Sequence, residues 1–180
     1  MKKLWLVVLA LFCVYALTAT AAEKEKNHLR ARLTGIEETN PSTIITNGTG
    51  TLTATLNDDS TITFTLSWKN MSTPVTQAHI HIGATKITGG VAIFFCGPGH
   101  QACPDDATHS GTVTGTVAAA DVVGPTGQGV AAGDFTSVVR AIASGVTYAN
   151  VHTTNHPAGE IRGQIRQSGD DDDDELPGAN

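Results

Sequence analysis

Short stretches in which apolar and polar residues alternate run through most of the chain, and this period of two is the pattern of half-buried β-strands. In Thr49–Leu56 and Thr61–Trp68, threonine or serine takes every second position. Threonine is β-branched and polar, so it suits the solvent face of a strand. Similar stretches occur at residues 29–36, 76–82, 91–95 and 110–117, separated by turns that contain glycine or proline. The pattern predicts an all-β fold, an antiparallel immunoglobulin-like or Greek-key β-sandwich of about seven to nine strands.

One segment departs from the two-residue period. From Phe135 to Ile142 the apolar residues recur at the spacing of a helix that buries one face. Asp134 can cap the first turn of this helix, and Gly145 suits its exit. We therefore expect one short helix near residues 134–144, covering an open end of the sandwich.

A predicted hairpin in the last third of the chain is rich in polar side chains. Two alternating runs, Tyr148–Thr153 and Glu160–Ile165, flank a loop that contains asparagine, proline and glycine. If the apolar residues of both runs face the core, the opposite face collects the polar ones. These are Asn150, His152, Glu160, Arg162 and Gln164.

Histidine supplies the candidate chemistry. A His-x-His motif places His79 and His81 on one face of a predicted strand. Neutral imidazole binds copper and zinc, and two imidazoles at i and i+2 can reach one ion. His152 is the third candidate ligand if the hairpin lies beside this strand, and His156 in the hairpin loop is a fourth. Copper–zinc superoxide dismutase also has a His-x-His strand on an antiparallel β scaffold, but this chain has no clear counterpart of its bridging histidine and zinc loop.

A hydrogen-bonded polar network is the alternative to a metal site. The histidines could bond to Glu160, to Asn150 or to backbone carbonyls, and so fix the register of the strands. Glu160 and Arg162, two positions apart on one strand, could form a partly exposed ion pair. In a metal site, Glu160 could instead orient a metal-bound imidazole. The sequence leaves both interpretations open.

Two cysteines lie in the patterned part of the chain. Cys96 and Cys103 flank a short loop that contains His100. In an oxidising compartment this spacing favours a disulfide that closes a small ring. The alternative is a metal site made by both thiolates and this histidine.

The two ends of the chain lack the alternating pattern of the residues between them. Residues 1–21 have a basic start, an apolar run too short to span a bilayer and small residues for cleavage, the layout of a secretory signal peptide. Residues 168–180 contain an acidic run without hydrophobic pattern, which predicts a disordered tail. One domain at residues 28–167 lies between them. We expect it in the periplasm, at the cell surface or outside the cell, with no membrane span after the signal is removed.

Charge and motifs exclude several functions. The chain has 11 basic and 17 acidic residues, a net charge of −6, and no basic patch for binding nucleic acid. It has no serine in a nucleophile elbow and no phosphate-binding glycine loop. We identify no catalytic residue, and the only cofactors that the residues suggest are copper and zinc.

Taken together, the motifs resemble the CHRD domain, a family named after the extracellular protein chordin. The resemblance rests on Ala78-His-Ile-His-Ile-Gly83, followed by Tyr148-Ala-Asn-Val-His-Thr153 and Gly159-Glu-Ile-Arg-Gly-Gln-Ile165, and it covers residues 29–166. It implies an all-β extracellular module and no particular reaction. We therefore expect an exported, non-catalytic module that binds an extracellular protein or carbohydrate. The alternative is a copper- or zinc-binding protein with a His-x-His site, of which a superoxide-dismutase-like protein is one form.

Overall fold

Nine strands and one α-helix form the part of the chain that the computed structural model describes, residues 27–39 and 41–168. The strands are β1 (His28–Thr34), β2 (Thr49–Leu56), β3 (Ile62–Lys69), β4 (Val75–Ile82), β5 (Gly90–Cys96), β6 (Gly111–Val117), β7 (Thr147–Thr153), β8 (Ile161–Gln164) and β9 (Arg166–Gln167), and the helix is α1 (Phe135–Ala143). The predicted signal peptide, and the predicted tail except Ser168, lie outside the described residues.

The strands belong to one continuous sheet. Its order is β5-β4-β7-β8-β1-β2-β3-β6, with β9 paired to β1, and every pairing between strands of the described chain is antiparallel. The end strands β5 and β6 contact each other, and Ile93 of β5 forms a further bridge to Val122. The sheet therefore nearly closes on itself as a barrel or sandwich. The predicted all-β fold with one short helix is confirmed.

Alternation along β2 and β3 sorts their side chains between core and solvent. Leu52 of β2, and Phe64 and Leu66 of β3, are buried, whereas the threonines between them are mostly exposed. The register preserves this sorting, because Leu52 pairs with Leu66 and Thr53 with Thr65. Each apolar side chain that becomes fully buried contributes roughly 1.5–3 kcal/mol relative to an exposed one. The inner face of the sheet is thus the apolar core of the protein.

Helix α1 lies where the sequence predicts a helix. The side chain of Asp134 accepts a hydrogen bond of 3.0 Å from the backbone N–H of Ser137, which caps the first turn. Gly145 follows the helix with a φ of 67°, a left-handed conformation that glycine adopts easily. Within the described residues, no helix is long and apolar enough to cross a membrane.

The two cysteines form the predicted disulfide. Cys96 ends β5, and its sulfur lies 2.06 Å from that of Cys103. Both thiols are consumed by this bond, so the alternative metal site formed by the cysteines and His100 is wrong.

Candidate metal centre

Strand β4 carries the His-x-His motif at the centre of the site. It lies between β5 and β7, with His79 opposite Asn150 and His81 opposite Tyr148. The residues that alternate with the histidines, among them Ile80, pack in the apolar core. The period of two therefore turns both imidazoles toward the outer face of the sheet. They are nevertheless buried, because other segments of the chain cover this face.

His152 of β7 joins the two histidines of β4, as predicted from the hairpin. The ring centroid of His152 lies 4.5 Å from that of His79 and 6.3 Å from that of His81, and the two β4 rings are 4.5 Å apart. One nitrogen of each ring lies within 4.8 Å of the others. Nitrogens that share one zinc ion at about 2.0–2.1 Å are about 3–4 Å apart, so small rotations of the rings would complete a site.

Hydrogen bonds to backbone carbonyls orient two of these imidazoles. Nδ1 of His81 lies 2.9 Å from the carbonyl oxygen of Gly89, and Nδ1 of His152 lies 3.0 Å from that of Pro157. A carbonyl oxygen can only accept a hydrogen bond, so in both rings Nδ1 carries the proton. Nε2 is then left with a free lone pair. This is the arrangement in which a protein presents histidine to a metal.

Three ring nitrogens of the cluster have no hydrogen-bond partner among the described residues. They are Nδ1 of His79, Nε2 of His81 and Nε2 of His152, and all three are inaccessible to solvent. A buried polar atom without a partner costs about 1–3 kcal/mol. Such atoms are rare in native proteins and require an explanation.

Burial keeps these histidines neutral. The pKa of His79 is lowered to about 2. Desolvation is the largest cause, and the neighbouring His152 and His81 add smaller contributions. Desolvation lowers the pKa of His81 to about 4, although the hydrogen bond to Gly89 raises it in part. It also lowers the pKa of His152. Near pH 7 all three imidazoles are therefore in the uncharged form that binds a transition metal.

A glycine allows the loop after β4 to approach the site closely. A side chain at Gly89 would collide with the carbonyl oxygen of Ile82 on β4. Without one, the Gly89 carbonyl reaches His81, and its N–H donates a bond of 3.1 Å to the hydroxyl of Tyr148. Tyr148 in turn stacks on the His81 ring, with centroids 4.7 Å apart. The loop thus fixes the orientation of one candidate ligand from two directions.

The histidines line a cavity of about 270 Å³ together with other polar residues. Asn150 and Arg162, both predicted members of a polar network, line this cavity. Asn150 donates to the carboxylate of Glu38 and to the carbonyl oxygen of Ile161. Arg162 likewise bonds to groups other than the histidines. A polar network therefore exists beside the imidazoles, but it leaves one nitrogen of each imidazole without a hydrogen-bond partner.

Glu160 is not at this site, so its predicted position is wrong. The chain bends at Glu160 before β8 begins at the next residue, so the alternation of β8 does not extend to it. Its carboxylate instead accepts hydrogen bonds of 2.6–2.9 Å from Thr46, Ser72 and Thr153. Burial would raise the pKa of Glu160, but these hydrogen bonds outweigh it and lower the pKa. Glu160 forms no ion pair with Arg162 within the described chain.

Glu38 is the carboxylate that the sequence analysis missed. It is 3% exposed, lines the cavity and bonds to Asn150. Desolvation raises the pKa of Glu38 to about 7, although the bond from Asn150 and the charge of Arg162 counteract the rise. Glu38 follows a short 3-10 turn in an irregular segment after β1. No periodic pattern in the sequence distinguishes it from its neighbour Glu37.

His156, the fourth candidate ligand, does not join the cluster of the described residues. It lies in the turn of the β7–β8 hairpin, where its carbonyl oxygen accepts hydrogen bonds from the N–H groups of Thr153 and Gly159. This turn brings Ala158, and not His156, to the wall of the cavity. The candidate ligands that converge are therefore His79, His81 and His152.

Comparison with known proteins identifies the family. A family model described as the CHRD domain matches residues 29–165, most of the chain, and contains all three histidines of the cluster. No curated protein and no solved structure is significantly similar to the chain. On this match, the chain belongs to the CHRD domain family.

Proposed function

We propose that this protein is a CHRD-family module that binds one copper or zinc ion through His79, His81 and His152. The observation that carries the proposal is that three buried imidazoles converge and that one nitrogen of each has no hydrogen-bond partner in the described chain. A polar network alone would give each nitrogen its own donor or acceptor. A metal ion would satisfy all three nitrogens at once.

The donor set favours copper or zinc over other ions. Neutral imidazole suits these metals, whereas calcium and magnesium prefer ligands with oxygen atoms. Copper(II) generally binds nitrogen sites more tightly than zinc does. Three protein ligands leave a coordination position open, which is a property of sites that bind an additional ligand.

Export and partner binding form the second part of the proposal. The CHRD family and the disulfide are compatible with a module that acts outside the cytoplasm, in the periplasm, at the cell surface or in the extracellular space. The signal peptide expected at residues 1–21 supports the same location. We propose that the module recognises an extracellular protein or carbohydrate without catalysing a reaction. Superoxide dismutation by the copper-loaded protein, above that of a variant without the histidines, would instead assign an enzymatic role.

Metal titration of the purified, metal-free protein tests the site. We expect calorimetry and elemental analysis to give one copper or zinc ion per chain. A His79→Gln, His81→Gln double variant should lose stoichiometric binding, because two of three ligands are gone. His100→Gln and His156→Gln are matched controls and should bind as the wild type does. Absence of binding by the wild type, or unchanged binding by the double variant, would refute the metal site.

A further inference from the structure

The cavity beside the three histidines also contains a buried positive charge. Arg162 is 2% exposed, and its guanidinium carbon lies 3.5 Å from the centroid of the Tyr148 ring. The guanidinium donates hydrogen bonds of 2.8–3.0 Å to the hydroxyl of Thr39 and to the carbonyl oxygens of Ala84 and Ile87. All of these acceptors are uncharged. The hydrogen bonds fix the position of the cation but do not neutralise it.

No carboxylate lies within 4.0 Å of this guanidinium in the part of the chain that the structure describes. Glu38 lines the same cavity, yet its carboxylate bonds to the amide of Asn150. Glu38 and Glu37 attract the guanidinium from a greater distance. A buried charge without an opposite charge in contact with it is costly. An anion in the cavity would therefore be stabilised by Arg162.

A bound metal would increase the positive charge of the cavity. A divalent ion would add two charges to the one on Arg162, while the three neutral imidazoles add none. Ionised Glu38 would remove only one of these charges. The charge of Arg162 counteracts the burial-driven rise in the pKa of Glu38, so these two groups of the cavity wall interact.

We propose that this cavity binds a small anion, which takes the open coordination position of the metal and is attracted there by the guanidinium of Arg162. The inference rests on the proposed metal centre and names the class of ligand that the centre accepts. A volume of about 270 Å³ is sufficient for a ligand of a few atoms beside the ion. Arg162 acts here through its charge.

Azide titration of the copper(II)-loaded, full-length protein tests the inference. Azide bound to copper(II) is detected by its charge-transfer absorption, and we expect saturation at one azide per copper. Arg162→Gln should weaken azide binding about tenfold or more, because a charge-assisted interaction is lost. Binding of the neutral ligand imidazole should remain unchanged in this variant. Arg140→Gln removes an exposed arginine of α1, outside the cavity, and is the matched control.

Arg162 also bonds to two loops, so its replacement can disturb the fold. A second variant changes the charge of the cavity without removing these bonds. Glu38→Gln is nearly isosteric and can still accept the hydrogen bond from Asn150. At pH 8, above the raised pKa of Glu38, it removes a negative charge from the cavity. We expect azide to bind about threefold or more tightly to this variant. An unchanged azide affinity would contradict the proposal that the charge of the cavity attracts the anion.

The outcomes separate this inference from the proposed function. If copper does not bind, or binds without the histidines, the metal centre itself is wrong. If copper binds through the histidines but azide leaves its spectrum unchanged, only the anion site is wrong. The anion site is also wrong if folded Arg162→Gln protein binds azide as tightly as the wild type. A loss of azide affinity with imidazole affinity retained supports it.

Discussion

At the scale of single residues, the site depends on which nitrogen of each imidazole carries the proton. In His81 and His152, a carbonyl oxygen holds the proton on Nδ1, so the lone pair of Nε2 is free to bind a metal. Burial keeps His79 uncharged by lowering its pKa to about 2. The protein therefore holds its candidate ligands in the protonation state that a metal requires.

The same burial predicts that acid destabilises the metal-free protein. Unfolded histidines take up protons near pH 6.5, whereas the folded protein has a pKa of about 4 for His81 and about 2 for His79. Between pH 7 and pH 4 the unfolded state thus binds more protons on these groups, and stability falls as the pH falls. Glu38 has the opposite effect, because its folded pKa is raised to about 7 and it takes up its proton first in the folded state. The stabilisation that Glu38 gains in acid only partly offsets the loss of stability from the three histidines.

Urea unfolding in the presence of EDTA, repeated from about pH 7 to about pH 5, measures this dependence. We expect the free energy of unfolding to fall by about 1–3 kcal/mol per pH unit, given about 1.4 kcal/mol for each net proton. A His79→Gln, His152→Gln double variant should show a shallower decline, because two of the titrating groups are absent. A slope as steep as that of the wild type would contradict the assignment to these histidines.

At the scale of secondary-structure elements, the position of His152 depends on the packing of the β7–β8 hairpin against β1. Gly163 of β8 is buried beside β1, and a β-carbon there would collide with the carbonyl oxygen of Arg32. We therefore predict that Gly163→Ala lowers the free energy of unfolding by about 1–3 kcal/mol, because the two strands must separate. Chemical denaturation of the variant and the wild type would measure the difference.

Gly127 provides a control for this substitution. A β-carbon at Gly127 would have no atom within 4 Å. Gly127→Ala should therefore change stability by less than about 0.5 kcal/mol. If both glycine variants were equally stable, the close approach of β8 to β1 would not limit the fold.

The elements also explain which parts of the site the sequence could predict. His79 and His81 were predictable because strand periodicity alone places them on one face, and His152 because its strand lies in a recognisable hairpin. Glu160 was assigned to the wrong place because a bend precedes β8 and ends the alternation. Glu38 could not be found, because it lies in an irregular segment that only tertiary packing brings to β7.

At the scale of the whole molecule, the two faces of the sheet have different roles. The inner face holds the apolar core, and the nearly closed sheet leaves few strand edges exposed. The histidines lie on the outer face of β4 and β7, under the segment after β1 and the loop between β4 and β5. The core can thus stabilise the fold while these covering segments determine access to the site.

The central claim is that His79, His81 and His152 share one metal ion. The most direct measurement is an anomalous difference map from crystals of the copper- or zinc-loaded protein, recorded at the absorption edge of that metal. The claim predicts one strong peak at about 2.0–2.1 Å from Nδ1 of His79 and from Nε2 of His81 and His152. A cluster without a peak, in crystals that contain the metal elsewhere, would contradict it.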